Sequence, residues 1–148
     1  TTAQPAPSAP TGLNATNIGV TSFAANWGTV SGATSYRLDV SASSSFSTFV
    51  TGYNNLTVSS TTQNVTGLTP NVVYYFRVRA VNSSGTSSNS STYSVTLKPE
   101  SPVAYAPYNL TSSSFKASWS AVAGATSYQL DVGNKLDWIA LKWKYSEL

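Results

Sequence analysis

The chain has 148 residues, is 41% hydrophobic and only 9% charged, and carries a net charge of +3; soluble domains ordinarily hold about 25% charged residues. It has no His and no Cys, so Ser-His-Asp and Cys-His arrangements, imidazole or thiolate metal sites and disulfides are excluded. The few Lys and Arg are scattered, which argues against nucleic acid, and no run of about 18 apolar residues exists to cross a bilayer. Hydroxyls take the place of charges, with 26 Ser and 19 Thr. With no Met anywhere and a start at Thr1, the chain is expected to be a processed or excised piece of a longer protein.

In chain order, Gln4-Pro5-Ala6-Pro7-Ser8-Ala9-Pro10 reads as a linker stiffened by proline. Phe23 and Ala25 then share one face with Trp27. Tyr36, Leu38 and Val40 alternate with Arg37 and Asp39, and Tyr74, Phe76, Val78 and Ala80 alternate with Tyr75, Arg77 and Arg79. The period is two, the signature of strands with one buried face. Turn-like clusters separate these runs: residues 28–34, Tyr53-Asn54-Asn55, residues 66–70 and Asn82-Ser83-Ser84-Gly85. Short strands at this spacing predict an all-β sandwich. No helical period appears before residue 135.

The chain repeats itself. Ser22-Phe23-Ala24-Ala25-Asn26-Trp27 recurs as Ser114-Phe115-Lys116-Ala117-Ser118-Trp119, and residues 32–40 recur as residues 124–132, both at an offset of 92 without a gap. The offset sets the size of one unit. The organisation expected is a linker over 1–8, a complete domain over 9–97, a linker over 98–102, the first strands of a second repeat over 103–132 and a tail of different character over 133–148. The tail is rich in Trp and Lys. Leu141, Trp143 and Tyr145 alternate with Lys142 and Lys144, the pattern of an edge strand, whereas Leu136, Ile139, Ala140 and Trp143 fit one face of a helix.

Trp27, Tyr36 and Leu38, followed by Leu68-x-Pro70-x-x-x-Tyr74-x-Phe76-x-Val78-x-Ala80-x-Asn82-x-x-Gly85, resemble the fibronectin type III family. The resemblance covers residues 9–97; Trp119, Tyr128, Leu130 and Val132 carry it into the second repeat. It implies an immunoglobulin-like sandwich of seven strands in two sheets, followed by a partial second sandwich. It also implies a tyrosine corner in which the Tyr74 hydroxyl bonds a backbone group a few residues upstream. The expected structural core is Trp27, Tyr36, Leu38, Leu68, Pro70, Tyr74, Phe76 and Val78, with Trp119 and Tyr128 in the second repeat.

A search for chemistry returns little. The carboxylates are Asp39, Glu100, Asp131, Asp137 and Glu147; Asp39 and Asp131 are one position in two repeats and read as solvated strand residues. No base stands ready to activate the many hydroxyls. No catalytic residue, cofactor or metal is therefore expected. Six Asn-x-Ser/Thr sequons begin at Asn14, Asn55, Asn64, Asn82, Asn89 and Asn109, a number that so hydroxyl-rich a chain supplies by chance. Tyr75, Arg77 and Arg79 form a candidate cationic and aromatic patch, read either as a binding site or as a solvated face with cation–π packing. Trp138 and Trp143 are candidate contact residues in the tail.

The function implied by the resemblance is a non-catalytic structural or adhesion module of a secreted or surface multidomain protein in a bacterial setting. Three strands and a tail leave an open edge, so the incomplete repeat suggests a fibre subunit joined by strand exchange. The expected partner is protein, through self-association or neighbouring domains. A carbohydrate-binding or spacer role in a secreted hydrolase, with polysaccharide as partner, is the second reading.

Overall fold

The computed structural model describes residues 4–133 and the backbone of residues 141–144. The chain divides into two compact units, residues 1–98 and 99–148.

In the first unit the period-two segments become strands, because β-branched and aromatic residues pack well on a pleated surface with one face buried. One sheet is antiparallel, with β1 (Asn14–Thr16) and β5 (Thr62–Val65) flanking β2 (Phe23–Asn26). The other is built on β3 (Ser35–Ser41), which lies between β4 (Leu56–Val58) and β6 (Val73–Asn82). On the far edge of β6 lie two pieces, β7 (Gly85–Thr86) and β8 (Tyr93–Thr96). Taken as one broken strand, they bring the sandwich to the seven strands expected.

The break in that strand does not orphan the edge of β6. Ser87 and Ser90 each donate a backbone N–H to the carbonyls of Ala80 and Val78, at 2.8 and 2.9 Å. Their hydroxyls accept the N–H groups of the same two residues, both at 2.9 Å. Two serines thus do what a regular ladder would do, and the backbone polar groups stay satisfied.

The core lies between the sheets. Phe23, Ala25 and Trp27 face Tyr36, Leu38, Val40, Phe76 and Val78, and Val65, Leu68, Val95 and Leu97 close it. Phe23 and Phe76 pack at 5.8 Å between ring centroids, and Phe76 and Tyr93 at 5.5 Å. Each such side chain contributes about 1.5–3 kcal/mol through burial. The segment read as a leading linker is tied down: Gln4 Nε2 donates to the Gly32 carbonyl at 3.2 Å, Asn82 Nδ2 donates to the Pro5 carbonyl at 2.9 Å, and the Ser84 hydroxyl donates to the Gln4 carbonyl.

In the second unit the sequence repeat is also a repeat of backbone geometry. Ser120 N–H donates to Val103 O at 2.9 Å, as Gly28 does to Thr11 at 2.7 Å, 92 residues earlier. Thr111 donates to Ser114 as Gly19 does to Ser22, both at 2.8 Å, and Ala125 to Val122 as Ala33 does to Val30, both at 3.1 Å. Asn109 takes φ of 53° and Asn17 50°, left-handed positions suited to Asn. Isolated bridges join Ala104 to Trp119 and Tyr108 to Lys116. β9 (Ser127–Leu130) pairs with β10 (Leu141–Lys144), from Leu141 opposite Leu130 to Lys144 opposite Ser127. Of the two readings of the tail, residues 141–144 adopt the strand.

Candidate interaction surfaces

The outer face of β3 and β6 carries most of the charge of the first unit. Asp39 lies directly opposite Arg77, and Arg37 directly opposite Arg79. Like charges placed so repel, and the two arginines turn apart. Arg37 reaches toward β4, where its guanidinium donates to the Thr57 hydroxyl and to the Asn55 carbonyl. Arg79 reaches diagonally to Asp39, with Nη2 at 3.1 and 3.3 Å from the two carboxylate oxygens.

Asp39 corrects the expectation of a solvated strand residue, because it is only 1% exposed. Arg77 Nε donates to it at 3.0 Å and the Asn55 backbone N–H at 2.7 Å. Asn55 holds φ of 59° and its side-chain oxygen accepts from Arg79 at 3.0 Å. The Arg77 guanidinium lies over the Phe46 ring, 4.2 Å from its centroid. Phe46 is itself buried and holds φ of 54°, a costly conformation for a bulky residue. Asp39 is the only side-chain carboxylate in residues 1–98. A buried carboxylate needs several donors to offset lost hydration, and here β6 and the 42–55 loop supply them.

Of the candidate patch, Arg77 and Arg79 are therefore joined to Asp39, while Tyr75 is half-buried beside them. The cation–π partner of Arg77 is Phe46, which sequence reasoning passed over because an isolated aromatic in a Ser-rich loop has no periodic neighbours. Among the sequons, Asn82 is buried, and its side chain bonds Pro5, Ser84 and Gly85.

The expected core residues of the first unit sit inside it, with Pro70 half-buried at the corner. Trp27 meets Tyr36 edge-on at 5.6 Å, and the Tyr36 hydroxyl accepts the Val30 N–H at 3.1 Å. At the corner the Thr69 N–H donates to the Tyr74 hydroxyl at 3.0 Å, five residues upstream. The fibronectin type III domain profile matches residues 8–96, more than half of the chain. The chain belongs to the fibronectin type III family.

Solved domains agree. The chain is similar to FN3tt, at 28% identity and a TM-score of 0.54 over 64% of this chain and 98% of that one. The domain of human fibronectin type III domain containing protein 3 matches at 25% identity and a TM-score of 0.53, over 68% and 94%. The chicken CNTN1 FN1–FN3 domains share the fold at 24% identity and a TM-score of 0.53, over 65% of this chain and 32% of that one. No curated protein matches the chain. Fibronectin type III domains are generally non-catalytic modules of multidomain proteins that bind other proteins. Among the described residues no group of His, Cys, Asp and Glu could hold a metal, and no helix is long and apolar enough to cross a membrane.

The second unit presents the other candidate surface. Trp119 and Tyr128 meet at 5.7 Å, and the Tyr128 hydroxyl accepts the Val122 N–H at 2.8 Å, the arrangement of Trp27, Tyr36 and Val30 over again. What differs is the cover. Phe23, Leu38 and Val40 are 1%, 0% and 0% exposed, whereas their counterparts Phe115, Leu130 and Val132 are 44%, 40% and 60% exposed. Trp119 and Tyr128 are only half-buried. Tyr105, Pro107, Phe115, Trp119, Leu130 and Val132 are among the residues that line a small open groove. Trp143 stands in β10 opposite Tyr128; Trp138 lies outside the described residues.

Proposed function

We propose that this chain is a non-catalytic structural and adhesion module of a secreted or surface-attached multidomain protein. In this reading the first repeat is the rigid spacer and the second is the joint. The second repeat engages a neighbouring chain by strand exchange, so that copies assemble into a filament. The observation that carries this reading is the solvent-open inner face at Phe115, Leu130 and Val132, built from residues whose counterparts form a closed core. An apolar face of this kind is a contact surface or an aggregation liability, and adding a strand to an open sheet satisfies its backbone and its side chains together.

Size-exclusion chromatography with light scattering over a range of concentrations tests it. The expected result is a mass that rises with concentration and falls to that of a monomer in a Leu130→Asp, Val132→Asp variant. A mass that stays monomeric for the unaltered chain overturns the filament. Retardation in polysaccharide gels would replace it with the carbohydrate-binding reading.

A further inference from the structure

We infer that the Tyr53 hydroxyl guards the outer edge of β5, and that without it β5 pairs with the β5 of a second copy of this chain. The inference stands on the first unit alone. β5 ends its three-stranded sheet, and among the described residues β2 is its partner. The ladder between them fixes which backbone groups are already used. The Trp27 N–H donates to the Thr61 carbonyl at 3.0 Å, so Thr61, Gln63 and Val65 turn toward β2 while Thr62, Asn64 and Thr66 turn outward. Such an outward row is what another strand adds to. Charged residues and proline are the usual protection of an edge, and residues 60–66 contain neither.

Side chains answer that row instead. The Ser60 hydroxyl donates to the Thr62 carbonyl at 2.6 Å, and Gln63 Nε2 donates to the Asn64 carbonyl at 2.8 Å. The Tyr53 hydroxyl accepts the Thr66 N–H at 2.9 Å and donates to the Asn64 carbonyl at 3.4 Å. One hydroxyl thus engages the carbonyl of one residue and the N–H two residues on, the two groups that a residue of a parallel neighbour would take. The guard is held from the other sheet. The Tyr53 N–H donates to the Val50 carbonyl and the Tyr53 carbonyl accepts the Val40 N–H, both at 2.9 Å, which fixes Tyr53 beside the end of β3. Its ring is half-buried against the core. A ring that reaches the edge in this way also fills space that an added backbone needs, since paired strands lie about 4.8 Å apart.

The test uses the full chain carrying Leu130→Asp and Val132→Asp, so that the open face of the second unit is silenced, with and without Tyr53→Phe. Light scattering after size exclusion should show a mass that rises with concentration in the Tyr53→Phe chain, above that of the chain retaining Tyr53. Asn64→Pro, added to the Tyr53→Phe chain, takes one outward N–H from the edge, a place where proline is tolerated, and should return the mass to that of the chain retaining Tyr53. In dilute solution the Thr66 amide should exchange about tenfold faster in the Tyr53→Phe chain, having lost its acceptor. The proline separates edge pairing from general loosening, because a loosened chain would aggregate with or without it. A mass indifferent to Tyr53→Phe, a rise that Asn64→Pro does not relieve, or an unchanged Thr66 amide overturns the inference.

Discussion

The Asp39 carboxylate receives Arg77 Nε at 3.0 Å from the residue directly opposite it on β6. Arg79, two residues on, closes on the same oxygen at 3.1 Å. The acid is nearly sealed while the guanidiniums remain about a quarter open to solvent. The unit therefore spends its one side-chain anion on tying together β3, β6 and the loop before β4.

Replacing Asp39 by Asn leaves two guanidiniums without their anion. We expect a loss of about 2–4 kcal/mol, below the range of fully buried pairs because the arginines keep some hydration. Asp131→Asn, at the matching but exposed position, should stay within about 0.5 kcal/mol. Denaturant unfolding of both variants checks the contrast; equal effects would mean that Asp39 is not the anchor.

Tyr74→Phe removes the acceptor of the Thr69 N–H and should lower stability by about 1–3 kcal/mol. Tyr75→Phe, one residue on and on the outer face, should be close to neutral. An unchanged unfolding midpoint for Tyr74→Phe would show that the corner bond contributes nothing.

Ser90→Ala takes the hydroxyl from the Val78 N–H at the broken edge of β6. With that amide half-buried and unanswered, a loss of about 1–3 kcal/mol follows. Hydrogen exchange should locate it: the Val78 amide should exchange faster in the variant, whereas the Ala80 amide, held by Ser87, should not.

Phe23→Ala empties a closed core and should cost about 3–5 kcal/mol. Phe115→Ala, at the same place in the second repeat, removes a half-open ring and should cost about 1 kcal/mol or less, because the cost follows the area taken from water. Calorimetry on the two variants distinguishes a closed sandwich from an open one.

Much of the fold was legible before any coordinates. The alternation through Tyr36, Leu38 and Val40 and through Tyr74, Phe76, Val78 and Ala80 puts those residues on inward faces, and each is buried. Leu68, Pro70 and Tyr74 announce the corner, since a tyrosine at that spacing can reach back to the chain it follows. The candidate surfaces were less legible. Period two places Asp39 on the outer face of its sheet, where solvent is the ordinary surrounding. Its burial depends on Arg77 and Arg79, 38 and 40 residues away, and on Asn55, 16 residues away. Phe46 covers that site from a loop with no period to betray it.

By itself the amino-acid order determined a fibronectin type III sandwich and a sequence repeat at an offset of 92 residues, because side-chain period and turn chemistry are local and survive without a partner. Only the tertiary structure decided which repeated residues are closed in and which lie open. Burial is a property of neighbours: Leu38 and Leu130 stand in the same local sequence, and β6 covers the first alone. The same holds for the two aspartates: Arg77 and Arg79, far along the chain, close over Asp39, while Asp131 is exposed.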